Sequence, residues 1–333
     1  MTDILKSTEL TGIIGRSEMD KLESVYGERW KQYRARYEDA SSLIKSDFPI
    51  QLDIELNASC NLKCPMCPIS AESAKGKGSK TWFPFEKFKK IIDEGVKHGL
   101  CALKLNYINE PLIRKDLIKF IEYAVQAGVL DVYLSTNGVL MDANFSEKLI
   151  KSGLTRVQIS IDATTESVYD EMRPGGDFDK VIENINTLLK IRAKNNSVTP
   201  LIRVNFVRTD INEHQVEEFT KYWQNRVDMV GIQEFISPTK SSKDVKSKSS
   251  INKAKSGFRC SFPFKQLVLT NEMEVLPCCT FWGEELSLGK LETPEQIIKF
   301  WNSDKINALR KIHLAGKYAD VKECRQCVEG GLG

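Results

Sequence analysis

Hydrophobic positions in the middle of the chain alternate between strand-like and helix-like spacing. From position 50 to position 56 every second residue is Ile or Leu, which is the pattern of a strand. Further strands are predicted at 101–107, 129–135, 155–161, 201–207 and 229–235, with helices at 84–98, 115–127, 142–152, 178–194 and 212–225. Strands that alternate with helices form parallel βαβ units. Six units are too few for a closed eightfold barrel, so we predict an α/β fold organised as a partial (β/α)6 barrel.

The region before the first strand has helical spacing. Residues 17–38 are predicted to form one amphipathic helix, with Ser17 and Asp20 as a capping box. Its apolar and aromatic positions are Leu22, Tyr26, Trp30, Tyr33 and Tyr37. We expect this helix to pack on the main domain, so residues 1–49 are predicted to be an N-terminal helical extension of a core at 50–236.

The region after the core changes in composition. Residues 237–257 contain six lysines and almost no apolar side chains, which is typical of a linker. Residues 258–333 are rich in cysteine, with a hairpin pattern at 265–276 and a helical pattern at 294–311. We therefore predict a Lys/Ser-rich linker followed by a small C-terminal α+β module.

Composition excludes several classes of function. Hydrophobic residues make up 41% of the chain and charged residues 28%, a balance that favours a folded globular protein. A formal net charge of +3 gives no broad basic surface for nucleic acid. The sequence contains no run of about 18 apolar residues and no basic start followed by an apolar core. We therefore expect a cytoplasmic protein with neither a membrane nor a nucleic-acid partner.

Cysteine is unevenly distributed along the chain. Of nine cysteines, three lie within eight residues at 60–67, one is Cys101, and five follow position 259. In a reducing compartment such groups are metal ligands more often than disulfides. The histidines, which are His98, His214 and His313, are all distant in sequence from the cysteine groups, so a mixed Cys/His zinc site is not favoured. Cys101 opens an apolar strand and is predicted to be a buried core thiol.

The first cysteine group has the spacing C-x3-C-x2-C and consists of Cys60, Cys64 and Cys67. Three thiolates on one loop can ligate three irons of a [4Fe–4S] cluster and leave the fourth iron open for a ligand. The loop directly follows the first predicted strand, and ligand sites of α/β folds lie beyond the carboxyl ends of strands. A structural zinc loop is the alternative interpretation of the same spacing.

Residues 50–235 resemble the radical SAM superfamily, whose members use S-adenosylmethionine (SAM). The resemblance rests on the cysteine loop and on four later segments. These are Tyr107-Ile108-Asn109-Glu110-Pro111, Ser135-Thr136-Asn137-Gly138, Ile159-Ser160-Ile161-Asp162 and Tyr169-Asp170-Glu171-Met172-Arg173. The first three are similar to the Gly-Gly-Glu-Pro, Thr-Asn-Gly and Ser-Leu-Asp segments of the family. The fourth ends in an Arg similar to one that often contacts SAM.

The resemblance implies a set of residues that bind SAM, namely Glu110, Asn137, Ser160 and Arg173. In the family the Glu holds the amino group of SAM, and the Arg contacts its carboxylate or ribose. This sequence departs from the family pattern at two places. Ile108 and Asn109 replace the glycine pair, and Met66 stands where the family usually has an aromatic residue before the last cysteine. Methionine can fill the same apolar space.

The resemblance also implies the chemistry. An external one-electron donor such as a flavodoxin or a ferredoxin would reduce the cluster, and one electron would cleave SAM to methionine and a 5′-deoxyadenosyl radical. That radical would remove a hydrogen atom from an unactivated carbon of the substrate. The cofactor would carry this step, while the protein orients the reactants and excludes water.

The second cysteine group, at the C-terminus, comprises Cys260, Cys278, Cys324 and Cys327, with Cys279 beside the second member. Four thiolates suffice for a fully coordinated [4Fe–4S] cluster or for a zinc ion. The segment resembles the Twitch module, the shortened form of the SPASM domain that follows radical SAM cores. That resemblance implies one auxiliary [4Fe–4S] cluster. Either Cys278 or Cys279 can be the ligand, and Cys278 is favoured.

The leading functional hypothesis is a radical SAM oxidoreductase. A substrate radical next to a hydroxyl must lose an electron to become a ketone, and a nearby auxiliary cluster can accept that electron. This arrangement resembles the alcohol dehydrogenases of aminocyclitol-antibiotic biosynthesis and, less closely, the sulfatase-maturing enzymes. We therefore expect a small-molecule substrate, a sugar or an aminocyclitol.

Three other functions remain open. Cys279 could return a hydrogen atom to the substrate radical, which would make the protein an epimerase. A peptide-modifying enzyme is the next alternative, although the extension of about 50 residues is shorter than the leader-recognition domain of many such relatives. A non-catalytic electron-transfer protein would hold two closed clusters, which the open ligation at residues 60–67 argues against.

Overall fold

The described part of the chain, residues 11–70, 81–235, 258–279 and 284–329 of a computed structural model, folds around one mixed β-sheet. The strands are β1 (Thr11–Ile14), β2 (Gln51–Ile54), β3 (Ala102–Lys104), β4 (Asp131–Thr136), β5 (Arg156–Ser160), β6 (Leu201–Arg208), β7 (Met229–Glu234), β8 (Gln266–Leu269), β9 (Glu274–Leu276) and β10 (Gly289–Lys290). Their order is β1-β7-β6-β5-β4-β3-β2-β8-β9-β10. The sheet is therefore open rather than closed. The linker predicted at 237–257 lies outside the described residues.

The six strands β2 to β7 form the core predicted from the sequence. Each strand from β2 to β6 pairs in parallel with the next strand along the chain. The helices between them are α3 (Phe85–Lys97), α4 (Leu117–Ala127), α5 (Ala143–Lys151), α6 (Glu166–Met172), α7 (Phe178–Lys194) and α8 (Val216–Trp223). This arrangement confirms the α/β fold and the partial (β/α)6 barrel. Within the described ranges, no helix combines the length and apolar composition needed to cross a bilayer.

Helix boundaries follow local capping chemistry. The Asp142 carboxylate accepts a hydrogen bond from the backbone N–H of Phe145 at 2.7 Å and starts α5, and Asp177 does the same for α7 through Lys180 at 2.9 Å. Such caps satisfy donors that the first helical turn leaves free. The helices predicted at 142–152 and 178–194 were accurate because each capping residue directly precedes its helix in the sequence.

Several predicted elements are shorter or divided. The strand predicted at 101–107 ends at Lys104, because the chain then turns into the loop that carries Glu110. The helix predicted at 294–311 is two helices, α10 (Gln296–Trp301) and α11 (Asp304–Leu314), separated by the extended residue Ser303. Helix α6 was not predicted.

The prediction of one continuous helix at 17–38 was wrong. The chain forms α1 (Lys21–Tyr26) and α2 (Glu28–Ser41), which meet at Gly27 with φ +59° and ψ −139°. A side chain rarely tolerates this backbone conformation, so glycine permits the break. Asp20 instead occupies the N-cap position of α1, where it makes no side-chain capping bond. Ahead of these helices, β1 pairs antiparallel with β7.

The N-terminal helices cover the amino ends of the core strands. Trp30 and Tyr33 pack with Leu130 and Leu201 in a buried cluster that also contains Cys101. Cys101 is thus the core thiol that the sequence predicted, and its sulfur lies 3.1 Å from Arg36 Nη1. Packing on the main domain, as predicted for this segment, is confirmed.

The C-terminal segment extends the core sheet. Strand β8 pairs in parallel with β2 and antiparallel with β9, which confirms the predicted hairpin. A short helix, α9 (Phe262–Lys265), leads into β8, and α12 (Lys322–Glu329) ends the described chain. Since β2 also precedes the first cysteine loop, this pairing brings the two cysteine groups into one region of the molecule.

Candidate active site

One cavity of about 510 Å³ is bounded by both cysteine groups. The thiols in its wall are Cys60, Cys64 and Cys67 from the loop after β2, and Cys260, Cys278, Cys279, Cys324 and Cys327 from the C-terminal segment. The other site residues predicted from the sequence, Glu110, Asn137, Ser160 and Arg173, line the same cavity. Segments from the whole length of the chain thus meet at one place, as the βαβ interpretation required.

The first cysteine loop is held by its own backbone and by a neighbouring turn. The backbone N–H of Cys67 donates to the carbonyl of Cys64 at 3.0 Å, and the N–H of Lys63 donates to the carbonyl of Pro174 at 3.1 Å. The backbone N–H of Leu62 points at Cys60 Sγ at 3.4 Å. These bonds fix the loop shape and supply a donor to one ligand sulfur, as is common around iron–sulfur ligands.

Burial keeps the loop thiols protonated when no metal is bound. It raises the pKa of Cys64 to about 12 and raises the pKa values of Cys60 and Cys67 as well. Ligation needs thiolates, so cluster assembly releases these protons. Among the described residues, no three His, Cys, Asp or Glu side chains are grouped to hold a single metal ion. The donor set, which is three thiols on one loop, fits a [4Fe–4S] cluster with one open iron.

Glu110 is a buried carboxylate that the protein satisfies from three sides. Its Oε1 accepts from the backbone N–H of Leu112 at 3.0 Å and from the Thr136 hydroxyl at 2.7 Å, and its Oε2 accepts from the N–H of Asn137 at 2.8 Å. Burial raises the pKa of Glu110, and these donors oppose that shift. A carboxylate has about four acceptor positions, so one remains for a donor in the cavity.

Asn137 connects the third core strand to the cysteine loop. Its Nδ2 donates to Asn61 Oδ1 at 2.8 Å and lies 3.9 Å from Cys60 Sγ. Its Oδ1 accepts from the backbone N–H of Val139 at 3.0 Å. Another asparagine pair, in which Asn109 Nδ2 donates to Asn57 Oδ1 at 2.9 Å, joins the loops after β2 and β3. The sequence analysis missed this second connection.

Two buried polar atoms in the cavity wall lack a partner within the described residues, namely Arg173 Nε, a donor, and Asn205 Oδ1, an acceptor. Asn205 is the register partner of Ser160 on the neighbouring strand. Such atoms are costly to bury unless a ligand or water satisfies them. SAM carries a carboxylate, an amino group and ribose hydroxyls, so the polar atoms of this wall fit that cofactor.

The five C-terminal thiols lie close to one another. Burial raises the pKa values of Cys260 and Cys327, and the nearby Cys278, Cys279 and Cys324 add to both shifts. Burial also raises the pKa of Cys279 to about 12, but its next influences are Asp53 and Lys104 inside the barrel.

Either Cys278 or Cys279 can therefore complete a set of four thiols with Cys260, Cys324 and Cys327. Such a set fits a fully coordinated cluster.

His313 lies beside this group although it is distant in sequence from every cysteine pair. Its Nδ1 accepts from the backbone N–H of Cys260 at 3.3 Å, and its Nε2 lies 3.5 Å from Cys324 Sγ. His313 was not predicted to lie at this site. Its contact with Cys260 joins residues separated by 53 positions, which no local sequence signal reveals.

Comparison with known families agrees with this geometry. A family model described as the Radical SAM superfamily matches residues 54–227, which is just over half of the chain. A second model, SPASM, described as an iron–sulfur cluster-binding domain, matches residues 260–328. The two matches place the cysteine loop in the first family and the C-terminal cysteines in the second.

Among curated proteins, the chain is similar to GTP 3′,8-cyclases. It is 32% identical over 168 residues to the enzyme of Alkaliphilus oremlandii, covering 50% of each chain. It is 31% identical over 185 residues to a probable GTP 3′,8-cyclase of Methanocaldococcus jannaschii, covering 56% of this chain and 58% of the relative. The chain thus spans about half the length of these relatives.

Three solved structures illustrate the same fold. Streptococcus suis SuiB bound to its precursor peptide SuiA aligns with a TM-score of 0.63 and 16% identity, over 84% of this chain and 71% of SuiB. BtrN with AdoMet and 2-DOIA aligns with a TM-score of 0.51 and 16% identity, over 83% and 92% of the two chains. AnSMEcpe with AdoMet aligns with a TM-score of 0.59 and 17% identity, over 84% and 88%. At these identities the likeness establishes the fold.

Proposed function

We infer that this chain, which belongs to the radical SAM superfamily, oxidises an alcohol of a small hydroxylated substrate. The proposed substrate class is a sugar or an aminocyclitol. The observation that carries this inference is the single cavity lined by both cysteine groups. A substrate in that cavity lies between a site for SAM and a site for an electron acceptor. Loss of one hydrogen atom, one proton and one electron then converts an alcohol to a ketone.

The cofactors are SAM, a [4Fe–4S] cluster in the radical SAM core and an auxiliary [4Fe–4S] cluster in the SPASM domain. We assign the core cluster to Cys60, Cys64 and Cys67, and the auxiliary cluster to Cys260, Cys278, Cys324 and Cys327. When bound, SAM and the core cluster supply a 5′-deoxyadenosyl radical for hydrogen abstraction, and the auxiliary cluster supplies an acceptor for the remaining electron. The protein holds these groups on fixed strands and loops.

SAM binding is assigned to side chains that retain hydrogen-bonding capacity toward the cavity. Glu110 keeps one acceptor position for the amino group of SAM. Arg173 keeps a buried donor at Nε for the carboxylate, and Asn205 keeps a buried acceptor near Ser160 for a ribose hydroxyl. Asn137 holds the cysteine loop in place through Asn61. Together these contacts would orient SAM against the open iron.

The cavity supports a small polar substrate. The cavity of about 510 Å³ must hold SAM as well as the substrate, which limits the substrate to a small molecule. Lys104, Gln158 and Gln233 line the cavity, and each offers a hydrogen-bonding group suited to hydroxyl or amino substituents. A sugar or an aminocyclitol presents several such substituents.

An external one-electron donor such as a flavodoxin or a ferredoxin would deliver the electron that SAM cleavage needs. All nine cysteines are free thiols in the structure. Free thiols and iron–sulfur clusters persist in a reducing compartment, so we assign the protein to the cytoplasm.

Epimerisation of a similar substrate is the second candidate function. Cys279 lines the cavity, and Asp53 and Lys104 are the charged groups with the largest effect on its thiol. A protonated thiol in that position could return a hydrogen atom to the substrate radical, and one electron from the external donor and one solvent proton would restore the thiol. The substrate would then keep its mass and gain one solvent hydrogen at the reacting carbon.

The test is a substrate panel with the anaerobically reconstituted enzyme, SAM and a reductant. Polyols and aminocyclitols form the main arm, with GTP and short peptides as separate arms. A product two mass units lighter than its alcohol, formed with one 5′-deoxyadenosine per turnover, supports the oxidoreductase.

The other outcomes separate the alternatives. A product of unchanged mass in H2O that incorporates deuterium when the reaction is run in D2O, with both abolished in Cys279→Ala, would establish the epimerase. Turnover confined to GTP or to a peptide would overturn the proposal of a small hydroxylated substrate. As a matched control, Cys327→Ala should still form 5′-deoxyadenosine but no ketone, because it lacks the acceptor site.

A further inference from the structure

His313, near the end of α11, is almost completely buried, with 2% of its surface exposed. Its ring lies between two segments that carry auxiliary-cluster cysteines. Nδ1 is 3.3 Å from the backbone nitrogen of Cys260, and Nε2 is 3.5 Å from Cys324 Sγ. The mechanism proposed above makes no use of this residue.

The contact with Cys260 determines where the ring carries its proton. A backbone N–H can only donate, so Nδ1 must be the unprotonated acceptor. A neutral imidazole has one N–H, which is therefore at Nε2 and faces the sulfur of Cys324. With its proton at Nε2, the ring can donate to that sulfur but cannot bind iron through the same atom.

We propose that His313 is a positioning residue that donates a hydrogen bond from Nε2 to the Cys324 thiolate and thereby raises the reduction potential of the auxiliary cluster. This inference rests on the proposed assignment of Cys324 as a cluster ligand. Reduction adds negative charge to the cluster and its thiolates, and a donor at sulfur stabilises the reduced form more than the oxidised form. The carboxylate of Glu323, close to Cys324 on α12, acts in the opposite direction.

This role suits a cluster that accepts an electron from a substrate radical. A buried cluster among several thiolates disfavours additional negative charge. A neutral donor at one ligand offsets that effect without adding a charge to the cavity. His313 also lines the cavity that we assign to the substrate.

The experiment uses the full-length chain with Cys60, Cys64 and Cys67 changed to Ala, so that any reconstituted cluster is the auxiliary one. His313→Leu removes the donor, and His313→Gln keeps an amide donor of similar reach. Each protein is analysed for iron and titrated potentiometrically, with the reduced cluster followed by electron paramagnetic resonance. We expect about four irons in all three proteins. The Leu variant should show a midpoint potential about 59 mV more negative, which corresponds to a roughly tenfold lower equilibrium constant for one-electron reduction of the cluster. The midpoint potential of the Gln variant should be close to that of the parent.

A second measurement on the parent does not depend on either variant folding. The chain has three histidines, so labelling histidine with ¹⁵N marks few sites, and His98 is bound to Glu94 rather than near the cysteines. A weak nitrogen coupling to the reduced cluster is the expected signature of a hydrogen bond.

Equal midpoint potentials in parent and Leu variant, at full iron content, would overturn the role of His313 while leaving the proposed function intact. A strong nitrogen coupling would overturn it by showing His313 to be a ligand, and the absence of any coupling would overturn it as well. A parent that binds no iron would instead overturn the auxiliary site itself, and this inference with it.

Discussion

Arg173 Nη2 lies 2.5 Å from Asp162 Oδ2 in a buried ion pair beside the first cysteine loop. Asp162 has a positive φ of 65° and accepts a second bond at Oδ1 from the backbone N–H of Val207, at 2.7 Å. The carboxylate is thereby fixed, and it aims the guanidinium so that Nη1 is 4.0 Å from Cys64 Sγ. The ion pair thus couples the end of β5 to the cluster loop.

Asp162→Asn should destabilise the protein strongly. The substitution leaves the Arg173 charge buried without its partner, a change that costs about 3–5 kcal/mol in comparable pairs. Denaturant unfolding of the metal-free chain measures the free energy of unfolding. The matched control is Glu217→Gln, which removes one member of an exposed ion pair with Lys221 and should leave stability nearly unchanged. Equal stability of the two variants would contradict the structural role of Asp162.

Arg173→Lys should weaken SAM binding more than it weakens the fold. Lysine keeps the charge but loses the planar fork that reaches Asp162 and the cavity at the same time. We expect a roughly tenfold higher dissociation constant for SAM, equivalent to about 1.4 kcal/mol. Equilibrium binding to the reconstituted enzyme tests this. An unchanged dissociation constant for SAM, at full iron content, would show that Arg173 does not contribute to SAM binding.

The buried ion pair between Arg156 and Asp131, at the amino ends of the strands, should contribute to stability and not to catalysis. Arg156 donates to both oxygens of Asp131, at 2.8 and 2.7 Å, and the Tyr33 hydroxyl donates to the same carboxylate at 2.8 Å. Tyr33→Phe should cost about 1.5–3 kcal/mol, and Asp131→Asn about 3–5 kcal/mol. Thermal or denaturant unfolding measures both. Because neither residue lines the cavity, the rate of SAM cleavage by the folded fraction should not change.

Replacing Cys278 and replacing Cys279 should affect the iron content of the reconstituted protein differently. Cys278→Ala should lower the iron of the reconstituted protein from about eight to about four atoms, because it removes an auxiliary ligand. Cys279→Ala should retain about eight, since Asp53 and Lys104 affect this thiol more than the other cysteines do. Iron and sulfide analysis of the two variants, prepared together, decides the matter. The reverse result would exchange the roles of the two cysteines.

Much of the core was predictable because its signals are local. The alternation at 50–56, the C-x3-C-x2-C spacing and the caps at Asp142 and Asp177 each lie within a few residues of the element they specify. The break at Gly27 was missed because a glycine inside a helical pattern is compatible with a continuous helix.

Contacts between distant segments could not be predicted in the same way. The pairing of β2 with β8 joins strands more than 200 residues apart, and no periodicity in either strand specifies its partner. His313 and Asp162 became recognisable only when the fold placed one beside Cys324 and the other beside Arg173. The residues proposed to carry the chemistry could therefore be predicted from the sequence, whereas the residues that orient them emerged from tertiary structure.

The most direct test of the central claim compares the wild-type protein with the variant in which Cys60, Cys64 and Cys67 are all Ala. Both are reconstituted anaerobically, analysed for iron and sulfide, and assayed for 5′-deoxyadenosine with SAM and a reductant. We predict about eight irons in the wild type and about four in the variant, with 5′-deoxyadenosine formed by the wild type alone. About four irons in the wild type and none in the variant would contradict the auxiliary cluster. Formation of 5′-deoxyadenosine by the variant would contradict the assignment of the catalytic cluster to this loop.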